Sequence, residues 1–176
     1  MTRRFRRLVV TVAGTVALMG VVSGCSRAEE GERGVDRDVA KAEVEELYEE
    51  TLAVVGPGWG WSDAESSWGG CARSSRSDNT DSWSRVNQRF GDLNAPALTI
   101  AERVAEEWNR LGYSVKVETD DTLTPPRKVV SYPAYLTGTT PEGFGAVFTV
   151  GEGYADFRGY SRCVPSDPDP DGRGPS

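Results

Sequence analysis

Apolar residues change their spacing several times along the chain, and each change marks an element. From Leu8 to Val22 they run almost without a break, interrupted only by small or hydroxyl residues. Between Asp38 and Val55 the spacing becomes three and four. Val44, Leu47, Tyr48, Thr51, Leu52 and Val55 then share one face, while Glu43, Glu45, Glu46, Glu49 and Glu50 cover the other. That pattern predicts an amphipathic helix, and Gly56-Pro57 stops it. A second helical stripe, Ile100, Val104, Trp108 and Leu111, lies within 95–111. Asn94 is placed to cap that helix, Pro96 suits its first turn and Gly112 ends it.

After Gly112 the period falls to two. Tyr113, Val115 and Val117 alternate with polar residues, which predicts a strand over 113–118. A second strand is expected over 128–136, where Pro133 argues for an edge or a bulge. "FGAVFTV" (144–150) and "YADFRGYSRC" (154–163) flank "GEG" and read as a hairpin. Upstream, "GCARSS" and "SWSRVNQRF" read as two more strands around the turn "RSDNTDS". The order predicts an α+β fold, a mostly antiparallel sheet of four to six strands with two helices packed on one face.

Charge gives the N-terminal apolar run a meaning. It is preceded by Arg3, Arg4, Arg6 and Arg7 and ends in "VSGC" at Val22–Cys25. A basic start, a short apolar run and small residues make an export signal, and the run is too short to span a bilayer as a helix. The general secretory route and, through "RRLVV", a twin-arginine route are both open. "VSGC" resembles the bacterial lipobox, which implies cleavage before Cys25 and a lipid on that cysteine. The expected organisation is a signal over 1–24, lipidated Cys25 and a charged tether over 25–36, one folded domain over 37–163, and a disordered tail over 164–176. Without the four arginines, 20 Lys and Arg become 16 against 27 Asp and Glu, so the mature chain carries −11. Phosphate backbones repel such a domain, and nucleic acid is not an expected partner.

The chain has no histidine. That removes the usual general base near neutral pH, the Ser-His-Asp constellation and most zinc sites. No catalytic residue, cofactor or metal is assigned. "DPDPDG" at 167–172 copies the opening of a calcium loop but lacks its later ligands. Asp120-Asp121 sit at a strand end, where aspartates commonly form turns. The helix pairs Glu45-Glu46, Glu49-Glu50 and Glu106-Glu107 read as solvated surface. With Cys25 lipidated, Cys71 and Cys163 remain, and an oxidising compartment would pair them. Closing that 92-residue separation is worth about 4–5 kcal/mol in the chain-entropy account.

"GPGWGWSDAESSWGGC" (56–71) holds the candidate binding residues Trp59, Trp61 and Trp68. Exposed rings beside Asp63 and Glu65 would stack on sugar faces or on an apolar partner. Inward rings would plug the sheet edge, with each indole N–H bonded to the loop. Trp59 and Trp61 fall on one side of an extended segment, and periodicity leaves both readings open, with packing favoured in so small a domain.

Together "VSGC", the tryptophan loop with its cysteine, "EEWNRLGY" and "SRCVP" resemble the small lipoproteins of unknown function of actinobacteria, the LppA-like families. The resemblance is architectural over most of residues 1–165. It implies a cell-envelope location and carries no catalytic residues. The expected function is a non-enzymatic binding or interaction module, held by lipid on the extracytoplasmic face of the cell membrane, with cell-wall glycan or an envelope protein as partner. The alternatives are a carboxylate-based enzyme acting on cell-wall glycan and a carrier of a small apolar ligand.

Overall fold

A computed structural model describes residues 35–60, 66–71 and 79–167. Cys25, Trp61, Asp63 and Glu65 lie outside them. The fold is α+β, as the pattern predicts: two helices and one antiparallel sheet of seven strands, rather more than expected.

Helix α1 spans Arg37–Val55. Asp36 caps it, its carboxylate accepting from the backbone N–H groups of Asp38 at 2.9 Å and Val39 at 3.4 Å. Its buried stripe is Ala40, Val44, Leu47, Tyr48, Thr51 and Val55. Helix α2 spans Ala97–Arg110 and begins after Pro96, so the expected Asn94 cap is not used; no side chain caps this end. A proline fixed near helical φ starts the helix without one. At the other end Gly112, at φ +98°, donates to Asn109 O at 3.1 Å, and Tyr113 N–H donates to Trp108 O at 2.9 Å. That pair of bonds is a Schellman closure, which needs a left-handed residue and so favours glycine there.

The strands are β1 (Ser66–Gly70), β2 (Thr80–Phe90), β3 (Val117–Asp120), β4 (Arg127–Tyr132), β5 (Gly145–Gly151), β6 (Tyr154–Tyr160) and β7 (Val164–Pro165). They lie in the order β1-β2-β6-β5-β4-β3, with β7 pairing the start of β2. The first described strand is "SSWGG", where Trp68 is registered opposite Trp83; of the expected strand "GCARSS", residues 72–75 lie outside the described ones. Three other expectations differ. The strand after α2 starts only at Val117. Before it, Asn109 holds the turn, donating to Val115 O at 3.0 Å and accepting from Val115 N–H at 3.1 Å. Pro133 follows the last paired residue of β4, an interior strand, and is neither edge nor bulge. Of the tail expected over 164–176, Val164 and Pro165 pair with Asp81 and Thr80, and residues 168–176 lie outside the described ones.

Both helices cover one face. Ala146, Phe148 and Val150 of β5 and Ala155 and Phe157 of β6 are almost fully buried against Val44, Leu47, Ile100, Val104 and Trp108. Gly159 lets α1 approach, since a Cβ there would meet Val44 Cγ1 at 2.8 Å. The one indole in this core is satisfied: Trp108 Nε1 donates to Thr51 Oγ1 at 2.9 Å, and Thr51 Oγ1 donates to Leu47 O at 2.7 Å. Among the described residues no helix is long and apolar enough to cross a membrane.

Candidate functional site

Trp59 and Trp68, the candidate tryptophans among the described residues, stand at separate places on the sheet, and Trp61 lies outside those residues. Trp59 makes an isolated bridge with Arg89 and packs half-buried on the core. Its indole N–H is buried without a hydrogen-bond partner among the described residues. Trp68 pairs with Trp83, six residues back along β2 from Arg89, so Trp59 and Trp68 stand roughly 20 Å apart. Trp68 and Trp83 meet edge to face, with centroids 5.6 Å apart and planes at 60°. Cys71, just after β1, is bonded to Cys163, between β6 and β7, with Cα atoms 5.8 Å apart. The bond ties the tryptophan segment to the end of β6.

The strand pair β1–β2 faces α1, and the helix supplies a partner for each ring. The Arg37 guanidinium lies 4.0 Å from the Trp68 centroid and the Lys41 ammonium 4.1 Å from that of Trp83. Trp83 Nε1 donates to Glu45 at 2.7 Å. Arg85, only 8% exposed, lies over the Tyr48 ring at 4.1 Å, donates to Ser66 Oγ at 3.0 Å and sits 3.6 Å from Glu45. Asn87 donates to Tyr48 Oη at 2.6 Å. Glu43 accepts from Arg162 at 2.9 Å. So Glu43 and Glu45 are not merely the solvated side of α1: they bind the sheet and its C-terminal extension. Glu107 also departs from the solvated reading, pairing with Arg110, which holds its carboxyl below the ordinary value.

Among the described residues no helix covers the opposite face of the sheet. The segment after β4 turns back over its β3–β4 side, where Tyr135 donates to Asp120 and Val129 and Ser131 are buried. Asp120 also accepts from Thr122 N–H at 3.0 Å and Thr122 Oγ1 at 2.5 Å, and these bonds hold its carboxyl below the usual range. It is a turn-forming aspartate, as the sequence suggests.

Over β5, β6 and β2 the face stays open and carries a groove of about 620 Å³. Its residues follow from register. Tyr154 is opposite Gly151 on β5 and Phe90 on β2. Asp156 is opposite Thr149 and Gln88, and Arg158 is opposite Val147 and Val86. A side chain at 151 would collide with the Tyr154 ring, so glycine lets that ring lie across the neighbouring strand. The Arg127 guanidinium sits 4.7 Å from the ring centroid. The Tyr154 hydroxyl is buried with no partner among the described residues, and burial holds its phenol above the ordinary value. Asp156, 7% exposed, accepts from Gln88 Nε2 at 3.0 Å and pairs with Arg158 at 3.1 Å. Phe90, 68% exposed, forms one wall.

Neither the groove nor its residues were among the candidates read from sequence. The alternation Tyr154, Asp156, Arg158, Tyr160 along β6 was a usable signal: it puts four large polar or aromatic side chains on one face of a hairpin strand. The meeting with Phe90 and Arg127 depends on strand order and left no local trace. No protein-family model, curated protein or solved structure matches the chain.

Proposed function

We propose that this is a lipid-anchored envelope protein whose folded domain is a non-enzymatic binding module, and that it binds through the open face of the sheet. The observation that carries the reading is where the groove lies relative to Arg37, the start of α1. Arg37, at the start of α1, pairs with Asp81 at 3.1 Å and reaches Pro165 O at 3.4 Å. Val55 O, at the other end, accepts from Arg89 at 3.1 Å. The helix therefore runs the length of β2, about 28 Å, and Phe90 and Tyr154 lie at its far end. A chain anchored through Cys25 and entering the domain at Arg37 presents the groove at the end remote from its attachment. The acidic balance of the mature chain keeps it off anionic surfaces, and the tether gives it reach.

Two measurements test this. Cys25→Ala is expected to move the mature protein from the membrane fraction to the soluble fraction; a variant that stays membrane-bound after signal cleavage removes the anchor from the reading. The purified full chain is expected to co-sediment with cell-wall preparations from the source cells. Phe90→Ala abolishes that retention and Trp68→Phe leaves it intact. Retention indifferent to Phe90 would show that the groove is not the binding face.

A further inference from the structure

We infer that the groove takes a neutral oligosaccharide, lying against Phe90 and hydrogen-bonded by the polar side chains of β6 and β2. The inference rests on the groove being the binding face and adds the class of ligand. Four features of the lining lead to it.

The first is charge. The groove is lined by two cations, Arg127 and Arg158, and two anions, Asp156 and Glu152. Arg158 is neutralised by Asp156. Arg127 lies on the Tyr154 ring and has Asp120 as its cross-strand neighbour. That leaves the exposed Glu152 as the single lining charge outside these pairs. No cation is left over to select an anion, and the negative charge of the whole chain opposes one at long range. The second is the form of the polar groups. The Gln88 amide, the Asp156 carboxylate and the Arg158 guanidinium are planar, with fixed donor and acceptor edges, and they are held in place by their mutual bonds. The Arg158 side chain is still 54% exposed, so donor edges remain for a ligand. Neighbouring hydroxyls of a sugar ring, each both donor and acceptor, match such edges.

The third is Phe90. An apolar ring 68% exposed beside a polar floor offers a flat surface for the C–H face of a pyranose. The fourth is the backbone. β5 and β6, and the part of β2 that pairs with β6, make up the floor. Both sides of β5 and β6 are paired along the groove. Along β5 and β6 an extended peptide finds no strand edge to add to. On the outer side of β2 beside Phe90, the Trp59–Arg89 bridge and the Gly60 N–H bond to Gln88 O already occupy backbone groups, which disfavours capture of a peptide as an added strand. The groove's volume falls within the several hundred Å³ usual for small-ligand sites.

The test is calorimetric titration of the purified full chain with a neutral β-1,4-linked N-acetylglucosamine oligomer. Saturable binding is expected, with an affinity that changes little between low and high salt, since no net charge is exchanged. Phe90→Ala is expected to weaken it about tenfold or more without moving the denaturation midpoint. Phe90→Tyr keeps it, since the ring is retained. Trp68→Phe, on the other face, leaves it unchanged. No binding of the oligomer, while retention on cell-wall preparations still depends on Phe90, would overturn the ligand class and leave the binding face standing. Binding that ignores Phe90→Ala, or that falls steeply with salt, overturns the inference. So does a preference for an unstructured peptide over the oligomer at equal concentration.

Discussion

A cation over an aromatic ring occurs on both faces of the sheet, with opposite consequences. Beneath α1, Arg37 covers Trp68, Lys41 covers Trp83 and Arg85 covers Tyr48. Each of those rings is half-buried or buried, and the polar atoms of Trp83 and Tyr48 find partners within the chain, Glu45 and Asn87. On the open face Arg127 covers Tyr154, whose hydroxyl has no partner among the described residues, and an exposed Phe90 stands next to it. The chemistry is the same. What differs is whether a helix has already taken up the binding capacity. Aromatic richness therefore points to a site only where the surrounding elements leave donors, acceptors and ring faces unused.

The comparison is broken most forcefully by removing what holds the covered cluster together. Replacing Cys71 and Cys163 together by serine is expected to cost about 2–5 kcal/mol, read as a lower denaturation midpoint without reductant. The loss falls on the end of β1, so wild-type protein under reductant should match the double variant. Trp83→Ala comes next. It deletes a half-buried ring, the Trp68 contact and the donor to Glu45, for about 2–4 kcal/mol. Below its unfolding transition the variant should still bind at the groove. Loss of binding while the domain stays folded would mean that the two faces are coupled and that the contrast drawn here is too sharp.

How far these regions were legible from sequence follows the same division. The stripes of α1 and α2, the glycine closing α2 and the β5–β6 hairpin are local patterns, and they were readable. β1 was not, because Ser66–Gly70 has neither β-branched residues nor alternation. It is a strand through its pairing with β2, fifteen residues from the centre of one to its partner in the other, which no strand-length window captures. Glu45 looked solvated because it flanks the apolar stripe by one position; its partners Trp83 and Arg85 come from a distant strand. For the groove, one strand's contribution could be seen in the alternation of β6. The assembly of Phe90 with Arg127 required the order β2-β6-β5-β4, a property of topology. Sequence gave the tryptophans prominence through their rarity, and rarity carries no information about which face they occupy.

A half-buried phenol on the covered face extends the comparison to pH. Tyr113, on the helix side, stacks on Phe144 with centroids 5.4 Å apart and is pushed up to about 12, first by burial and then by the charges of Glu43 and Glu46. In the unfolded chain it titrates near 10. Its folded value is raised, so its contribution is complete below about pH 10. The contribution is lost as pH rises towards 12, because the unfolded chain gives up the proton first. The expected loss is on the order of 1 kcal/mol once solvent screening at its partly open edge is allowed for. Denaturation midpoints at pH 9 and above should fall accordingly. Tyr113→Phe should flatten that part of the slope, and an unchanged slope would remove Tyr113 as its source.

The smallest effect on stability is the most discriminating. Trp83→Phe and Tyr154→Phe each remove the polar hydrogen of a ring that lies under a cation, the first also trimming the indole to a single ring. On the covered face the edit deprives Glu45 of a 2.7 Å bond, opens space beside Trp68, and should cost about 2–3 kcal/mol. On the open face it removes a hydroxyl that is buried without a partner, so no bond is lost within the chain. Phenylalanine keeps the ring face beneath Arg127, and relief of an unsatisfied group offsets any loss of packing. Tyr154→Phe is therefore expected to shift stability by no more than about 0.5 kcal/mol in either direction, and to leave oligosaccharide binding unchanged, since the ring face is retained. A clear destabilisation by Tyr154→Phe would mean that the hydroxyl is bonded within the folded chain after all. The open face would then be as fully committed as the covered one.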